Sequence, residues 1–312
     1  MPIPEDLAGL STIRDFVRWG ASEFNRAGLA FGHGSDNALD EAFHLVLWRL
    51  GLPFDVPATY LEAVLTAGER EAIVDLLQRR VATRKPAAYL TGEAWFAGLS
   101  FYIDERVLVP RSPIGELIQK EFKPWLSSEP ASILDLCAGS GCIGIACAYA
   151  FPSAHIDLGE IDYGAIEVIQ RNIARHHVED RVRIATGDLF APLKGRRYDL
   201  IVSNPPYVPA AEWAELAPEF HHEPRRALEA GNDGMEVVVR MLAEAPAHLT
   251  PGGVLVCEIG GSQLEFDARF PDIPVAWPEF EHGGDGVFVI SRDDLSAWLK
   301  ESSTPAKKTR KP

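Results

Sequence analysis

Four consecutive residues carry the most specific chemistry in this sequence. An apolar segment, Tyr198-Asp199-Leu200-Ile201-Val202-Ser203, runs directly into Asn204-Pro205-Pro206-Tyr207. A turn that only had to redirect the chain would rarely need these four residue types in this order. Two hydrogen-bond acceptors fall side by side there, the Asn204 side-chain oxygen and the Pro205 carbonyl. Together they can bind the two N–H groups of a planar amide or an exocyclic base amine. They would hold that nitrogen in line with a sulfonium methyl group and favour its pyramidalisation. Proline has no N–H, so Pro205 and Pro206 stiffen a loop that presents carbonyls. Tyr207 can cover the flat face of the target group. Such a transfer requires neither a metal nor a general base, because the methylated nitrogen becomes acidic and sheds its proton.

A second segment supplies a place for a nucleoside. Ile133-Leu134-Asp135-Leu136 reads as an apolar strand and leads through Cys137-Ala138 into Gly139-x-Gly141-x-x-Gly144 and a helix. Glycines at such a strand–turn–helix junction permit a tight turn and let a ligand lie against bare backbone. Glu160 closes the next strand, 21 residues beyond Gly139, where a carboxylate can accept two hydrogen bonds from a ribose diol. Asp162 is the rival, but it falls where a helix should begin and reads equally as an N-cap. An NAD-dependent dehydrogenase fits these two features as well as a methyltransferase does. The Asn-Pro-Pro-Tyr segment separates the two readings.

These segments must be positioned by alternating elements. Strands are expected at 132–137, 155–160, 181–186, 198–203, 253–258 and 286–291, with helices near 142–151, 163–176, 234–248 and 292–299. Such alternation implies an α/β fold with a mainly parallel, doubly wound sheet. Residues 1–85 differ. Leu10, Ile13, Phe16, Val17 and Phe24, then Ala38, Ala42, Phe43, Val46, Leu47 and Leu50, recur at helical spacing. Gly51 and Pro53 close the second helix, and a capping box at Thr66 and Glu69 opens a third. Residues 86–112 read as a hairpin around Ala97-Gly98 followed by the extended piece Val107–Arg111, bridging to a domain at 113–300. Residues 301–312, with Lys307, Lys308, Arg310 and Lys311, read as a disordered basic tail.

Charge and cysteine usage exclude several functions. A formal charge of −15, from 45 acidic and 30 basic residues, counts against duplex nucleic acid and suits a basic protein partner. Cys137, Cys142, Cys147 and Cys257 lack zinc-site spacing, and the histidines form no cluster, so no metal is expected. Neither a membrane span nor a secretory signal is visible, which fits the cytoplasm.

The glycine loop, Glu160, Gly187-Asp188-Leu189-Phe190 and Asn204–Tyr207 together resemble class I S-adenosylmethionine-dependent methyltransferases. More narrowly, the chain is similar to the family that methylates the side-chain amide of glutamine in proteins. The resemblance includes Tyr89-Leu90-Thr91-Gly92, Phe101, Val107–Arg111, Glu223-Pro224-Arg225, Ala227-Leu228, Asp233-Gly234, Pro251-Gly252-Gly253 and Glu258-Ile259-Gly260. It implies a Rossmann-like sheet with a small helical N-terminal domain that helps dock the protein substrate. Two branches act on peptide-chain release factors and on a ribosomal protein. Ser112-Pro113-Ile114-Gly115-Glu116-Leu117-Ile118 is similar to the branch that modifies large-subunit ribosomal protein L-three. The release-factor branch usually carries an acidic Pro-Asp-Thr-Glu-like stretch there.

By position, the resemblance implies that Cys137, Ala138, Gly139, Ser140 and Gly141 wrap the methionine part of S-adenosylmethionine. Glu160 would take the ribose, replacing the family's more usual aspartate. Asp188 would accept from the adenine amine, and Leu189 would pack on the ring. Asn204 would touch the cofactor and, with Pro205, Pro206 and Tyr207, hold the glutamine amide. Arg111 and Glu116 read either as substrate-side residues or as domain-bridging ion pairs. The rival functions are a release-factor glutamine methyltransferase, an adenine-amino methyltransferase on nucleic acid, and a non-catalytic cofactor-binding protein.

Overall fold

The computed structural model describes residues 7–281 and 283–302. The basic cluster Lys307, Lys308, Arg310 and Lys311 lies outside the described residues. Helices α1 (Ile13–Arg26), α2 (Ala38–Leu50) and α3 (Ala67–Thr83) pack around a core that includes Phe16, Phe24, Leu45, Leu47, Ile73 and Leu77. Burial of each of these side chains contributes about 1.5–3 kcal/mol before chain entropy is counted. Their boundaries follow local chemistry. Thr12 and Asp15 form a reciprocal capping box before α1, Asn37 caps α2, and Thr66 with Glu69 caps α3 as its sequence requires. Left-handed Gly51 ends α2.

A short helix α4 (Ala87–Thr91), absent from the sequence reading, precedes the hairpin of β1 (Glu93–Phe96) and β2 (Leu99–Tyr102). Ala97 and Gly98 make its turn with φ of 49° and 81°, the handedness a two-residue hairpin needs. The chain continues through Val107–Arg111 and α5 (Ile114–Gln119) into a six-stranded sheet.

That sheet contains β3 (Ser132–Leu136), β4 (His155–Glu160), β5 (Val182–Thr186), β6 (Tyr198–Ser203), β7 (Leu249–Glu258) and β8 (Val287–Ser291). Their spatial order is β5-β4-β3-β6-β7-β8, all parallel except the antiparallel β8. Helices α6 (Cys142–Ala150) and α7 (Tyr163–His176) follow β3 and β4. Then come α8 (Ala210–Glu215), α9 (Arg225–Leu228), α10 (Glu236–His248), α11 (Gln263–Arg269) and α12 (Arg292–Ser302). Helix α12 continues through residues 301 and 302, which the sequence reading assigned to the tail.

Alternate strand residues face the two cores. Ile133, Ile156, Leu158, Leu200 and Val202 join α6, whereas Leu134, Leu136, Ile201 and Leu255 join α10. Strand β7 starts at Leu249, four residues earlier than expected. A register shift between Tyr198 and Leu200 absorbs Pro251-Gly252-Gly253, and a bulge of this kind is where a strand tolerates proline. No helix among the described residues is long and apolar enough to cross a membrane.

The chain runs outward from β3 through β4 to β5, then returns to place β6 on the other side of β3. Ligands of doubly wound sheets bind beyond the carboxyl ends of the strands at such a reversal. Leu136 pairs with Ser203, so Cys137 and Asn204 leave the sheet side by side at that point.

Candidate active site

Two openings meet at this reversal. The first is a cavity of about 360 Å³ lined by Cys137, Ala138, Gly139, Ser140, Glu160, Asp188, Leu189, Asn204 and Pro206. These nine were expected at the site from the sequence; Leu136, Cys142, Ile143, Pro224, Arg226 and Arg240, also in the lining, were not. Cys137 and Leu189 are held at φ of 63° and 46°, a left-handed backbone that non-glycine residues rarely adopt. Strain of this kind persists where the surrounding structure enforces it, often around a ligand. Gly144 sets the depth of the glycine turn, since a Cβ there would stand 2.2 Å from Leu158 Cδ2 and 3.0 Å from Asp135 Cβ. Gly141 does not line the cavity. It occupies the left-handed N-cap position of α6.

Glu160 lies at the end of β4 and is used differently from a free ribose acceptor. Its Oε1 accepts from the backbone N–H groups of Ile161 and Asp162, both at 2.8 Å, and Oε2 accepts from Gly139 N–H at 2.9 Å. A carboxylate offers about four acceptor sites, so spare capacity remains mainly on Oε2. Asp162 instead caps α7 through Gly164 and Ala165. Asp188 receives Arg240 Nη2 at 2.6 Å on a half-exposed rim. Leu108, Ile161 and Leu189 add apolar lining to the same cavity. The donor set fits an elongated ligand with hydroxyl and amine donors at separate points along an otherwise apolar body. Burial pushes the Cys137 thiol upward, which makes it a poor nucleophile.

The second opening is a groove of about 620 Å³ with half-exposed Trp95 at its edge and Tyr207, Glu258 and Ser112 inside. Asn204 lines both openings, as do Leu108, Pro110 and Arg111. Tyr207 is fixed rather than free to swing over a ligand. Its Oη donates to Glu258 Oε1 at 3.2 Å, and its ring packs so closely on Gly260 that a Cβ there would approach to 2.6 Å. Its backbone N–H donates to Leu228 O at 3.1 Å, and its carbonyl accepts from Ser262 Oγ at 3.2 Å.

Residues 122–233 match the profile of the family described as "Methyltransferase small domain". The chain is 46% identical over 288 residues to a ribosomal protein uL3 glutamine methyltransferase of Francisella tularensis subsp. tularensis, an alignment that covers 92% of each chain. It is 49% identical over 289 residues to a protein of the same name from Xanthomonas campestris pv. campestris, covering 92% of this chain and 94% of the relative. The chain belongs to this methyltransferase family. Among solved structures it is similar to a methyltransferase from Pyrococcus furiosus, at 21% identity and a TM-score of 0.46, over 62% of this chain and 89% of that one.

Around the groove of this methyltransferase, Arg111 and Glu116 form ion pairs, one of the two readings that the sequence left open for them. Arg111 donates from both terminal nitrogens to buried Glu223, each at 2.7 Å, and His33 Nε2 stands 3.4 Å away. Burial alone would raise the Glu223 pKa, but His33 and Arg111 outweigh it and hold it at about 2. Arg111 is therefore an ion-pair residue. Glu116 pairs with Lys120 and accepts from the Glu281 N–H, which ties α5 to the loop before β8.

Within the helical part, Arg80 Nε donates to Glu41 at 2.7 Å, while Arg84, just after α3, reaches across to buried Glu219 at 2.8 Å. Burial pushes Asp135 up to about 7 although it accepts from Gly144 N–H at 2.8 Å, and its Oδ1 has no partner among the described residues. A carboxylate inside an apolar strand was the available sequence signal for Asp135. Glu223 and Glu258 had none beyond their place in the resemblance.

Proposed function

We infer that this methyltransferase transfers a methyl group from S-adenosylmethionine to the side-chain amide nitrogen of a glutamine in large-subunit ribosomal protein uL3. One observation carries the reading: Asn204, at the end of β6, is the member of the Asn-Pro-Pro-Tyr segment that lines both cavity and groove. The two uL3 glutamine methyltransferases that match over nearly the whole chain support the substrate.

In the cavity, Cys137 to Ser140 would cradle the methionine part, Glu160 the ribose and Asp188 the adenine amine. Bound there, S-adenosylmethionine supplies a methyl group on a cationic sulfur. The protein's work lies on the nitrogen. Asn204 Oδ1 and the Pro205 carbonyl accept its two N–H bonds and orient its developing lone pair toward the cavity. Acceptors fixed in this way stabilise positive charge as it grows on nitrogen. The alkylated amide then loses its proton to water without a dedicated base. Four free cysteines suit a reducing, cytoplasmic setting. A net charge of −15 favours a basic protein over nucleic acid as the partner.

The test is incubation of the pure enzyme with methyl-labelled S-adenosylmethionine and ribosomal proteins from cells that lack it, with release factors and nucleic acid in parallel. Mass spectrometry should find the label on a glutamine of uL3. Label on a release factor would move the enzyme to the sister branch, and label on nucleic acid alone would reject a protein substrate.

A further inference from the structure

Asn204 can accept from a substrate amide only if its own carboxamide points the right way. Its two ends are similar in shape, and packing alone distinguishes them poorly. One end accepts hydrogen bonds and the other donates. What stands behind Asn204 therefore matters.

Strand register answers this. Ser203 pairs with Cys257, so the next residues, Asn204 and Glu258, leave adjacent strands at the same level. Glu258 is only 4% exposed, yet it lines the same groove as Asn204, Tyr207 and Ser112. Its Oε1 accepts from Tyr207 Oη at 3.2 Å, and its Oε2 accepts from Ser112 Oγ. Asn204 lines the groove beside this carboxyl, one residue past the Ser203–Cys257 pair, and its side chain favours the ionised form. An ionised carboxylate can only accept, so it draws the Asn204 NH₂ group toward itself and leaves Oδ1 turned to the substrate. Ser112 is in turn fixed by Ile114 N–H, which donates to its Oγ at 3.2 Å.

We propose that Glu258 is a positioning residue of the methyl transfer, held by Ser112 and acting through Tyr207 and the Asn204 carboxamide to keep the Asn204 oxygen facing the target nitrogen. The proposal rests on the reading of Asn204 given above and adds a residue to it. A protonated Glu258 would carry a donor as well as an acceptor and would stabilise the reversed carboxamide. Burial pushes this group up to about 7, with the hydrogen bonds from Ser112 and Tyr207, the Arg111 charge and Asn204 opposing that rise. Among the described residues, Cys257 precedes it on β7, Arg111 is itself paired to Glu223, and Asp36, Glu116 and Asp285 line the same groove.

The deciding variant is Glu258→Gln, which keeps the shape and mimics the protonated acid. Methyl transfer to uL3 should fall about 30–100-fold in kcat, the usual scale for a misaligned reacting group. KM for uL3 and the Kd for S-adenosylmethionine should move less than about threefold, because the substrate-binding walls are intact. Wild-type kcat should fall as pH drops through about 7, where Glu258 takes up its proton. The variant should lose that limb.

Ser112→Ala provides the second arm. Loss of its hydrogen bond should move the wild-type limb to higher pH while the melting temperature stays within a few degrees. Wild-type kcat in Glu258→Gln, a pH limb that persists in it, or KM and Kd rising in step with the loss of kcat would each overturn the proposal. So would a limb left in place by Ser112→Ala. A wild-type enzyme that labels no uL3 would reject the substrate reading instead, and the same comparison on the acceptor it does label would decide the role of Glu258.

Discussion

Local turns, Cys137 to Ser140 and Gly187 to Leu189, shape one side of the cavity at the end of β3, whereas the groove beside it is flanked by side chains paired from distant parts of the chain. Around the cavity, Cys137 to Ser140 and Gly187 to Leu189 present main chain in tight turns, and even Glu160 spends its carboxylate on three backbone N–H groups. Around the groove, Arg111 meets Glu223 and Ser112 meets Glu258. A backbone wall tolerates changes of side chain but not of volume beneath it. A wall of ion pairs tolerates small changes of volume but not loss of a charge. The shape of the cavity is thus set in part locally, while the shape of the groove depends on distant parts of the chain agreeing.

Asn204 belongs to both walls, so its removal should have the largest effect. Asn204→Ala should lower kcat at least about 10³-fold, or about 4 kcal/mol, with S-adenosylmethionine affinity changed less than about threefold. Retained activity in a methyl-transfer assay would dissolve the distinction between the two sides at its meeting point. The groove should be next most sensitive. Glu223→Ala leaves partly buried Arg111 and buried His33 without their carboxylate and should cost about 3–5 kcal/mol in denaturant unfolding.

Acid sharpens the contrast within the groove. The folded pKa of Glu223 is depressed to about 2, so its ion pairs stabilise fully above about pH 4.5 and are lost as pH falls toward 2. Those of Glu258 and Asp135 are raised to about 7, so the stability that their protonated forms retain near pH 4 is lost as pH rises from about 4 to about 7 and stays lost above it. Stability should therefore rise from pH 8 to about 5 and fall below about 4.5, each displaced pKa unit being worth about 1.4 kcal/mol. Melts of Glu258→Gln and Asp135→Asn should flatten the upper limb, and Glu223→Gln the lower.

Smaller effects belong to the cavity. Gly144→Ala forces a Cβ into Leu158 and Asp135, and overpacking of this kind should cost about 1–3 kcal/mol and weaken donor binding, measured by melting and calorimetry. Arg240→Ala removes only a half-exposed partner of Asp188 and should change stability by about 0.5 kcal/mol or less.

The same contrast explains what the sequence disclosed. Cys137 to Ser140, Asp188-Leu189 and Asn204 to Tyr207 are contiguous runs, so their residue types could be read directly. The alternating strands and helices were legible for the same reason, because each reports a local period. Partnerships were not. Arg111 and Glu223 lie 112 positions apart, and Ser112 and Glu258 lie 146 apart. Nothing local in Glu223 or Glu258 distinguishes a groove carboxylate from a surface one. Helix α4 was missed because one turn is too short for periodicity, and the start of β7 because Pro251-Gly252-Gly253 reads as a loop until its bulge is seen.

Glu219 lies between α8 and α9, in the catalytic part of the chain, but its cationic neighbours Arg80 and Arg84 both lie on α3 or directly after it. It is fully buried, as are Arg80 and, nearly so, Glu41. The helical part is therefore not a detachable module. A chimaera that transplanted residues 1–85 onto another methyltransferase would strand Arg80 and Arg84 without Glu219, at a cost of several kcal/mol. The unit of exchange between such enzymes would be discontinuous: the three helices together with the segment that carries Glu219 and Glu223.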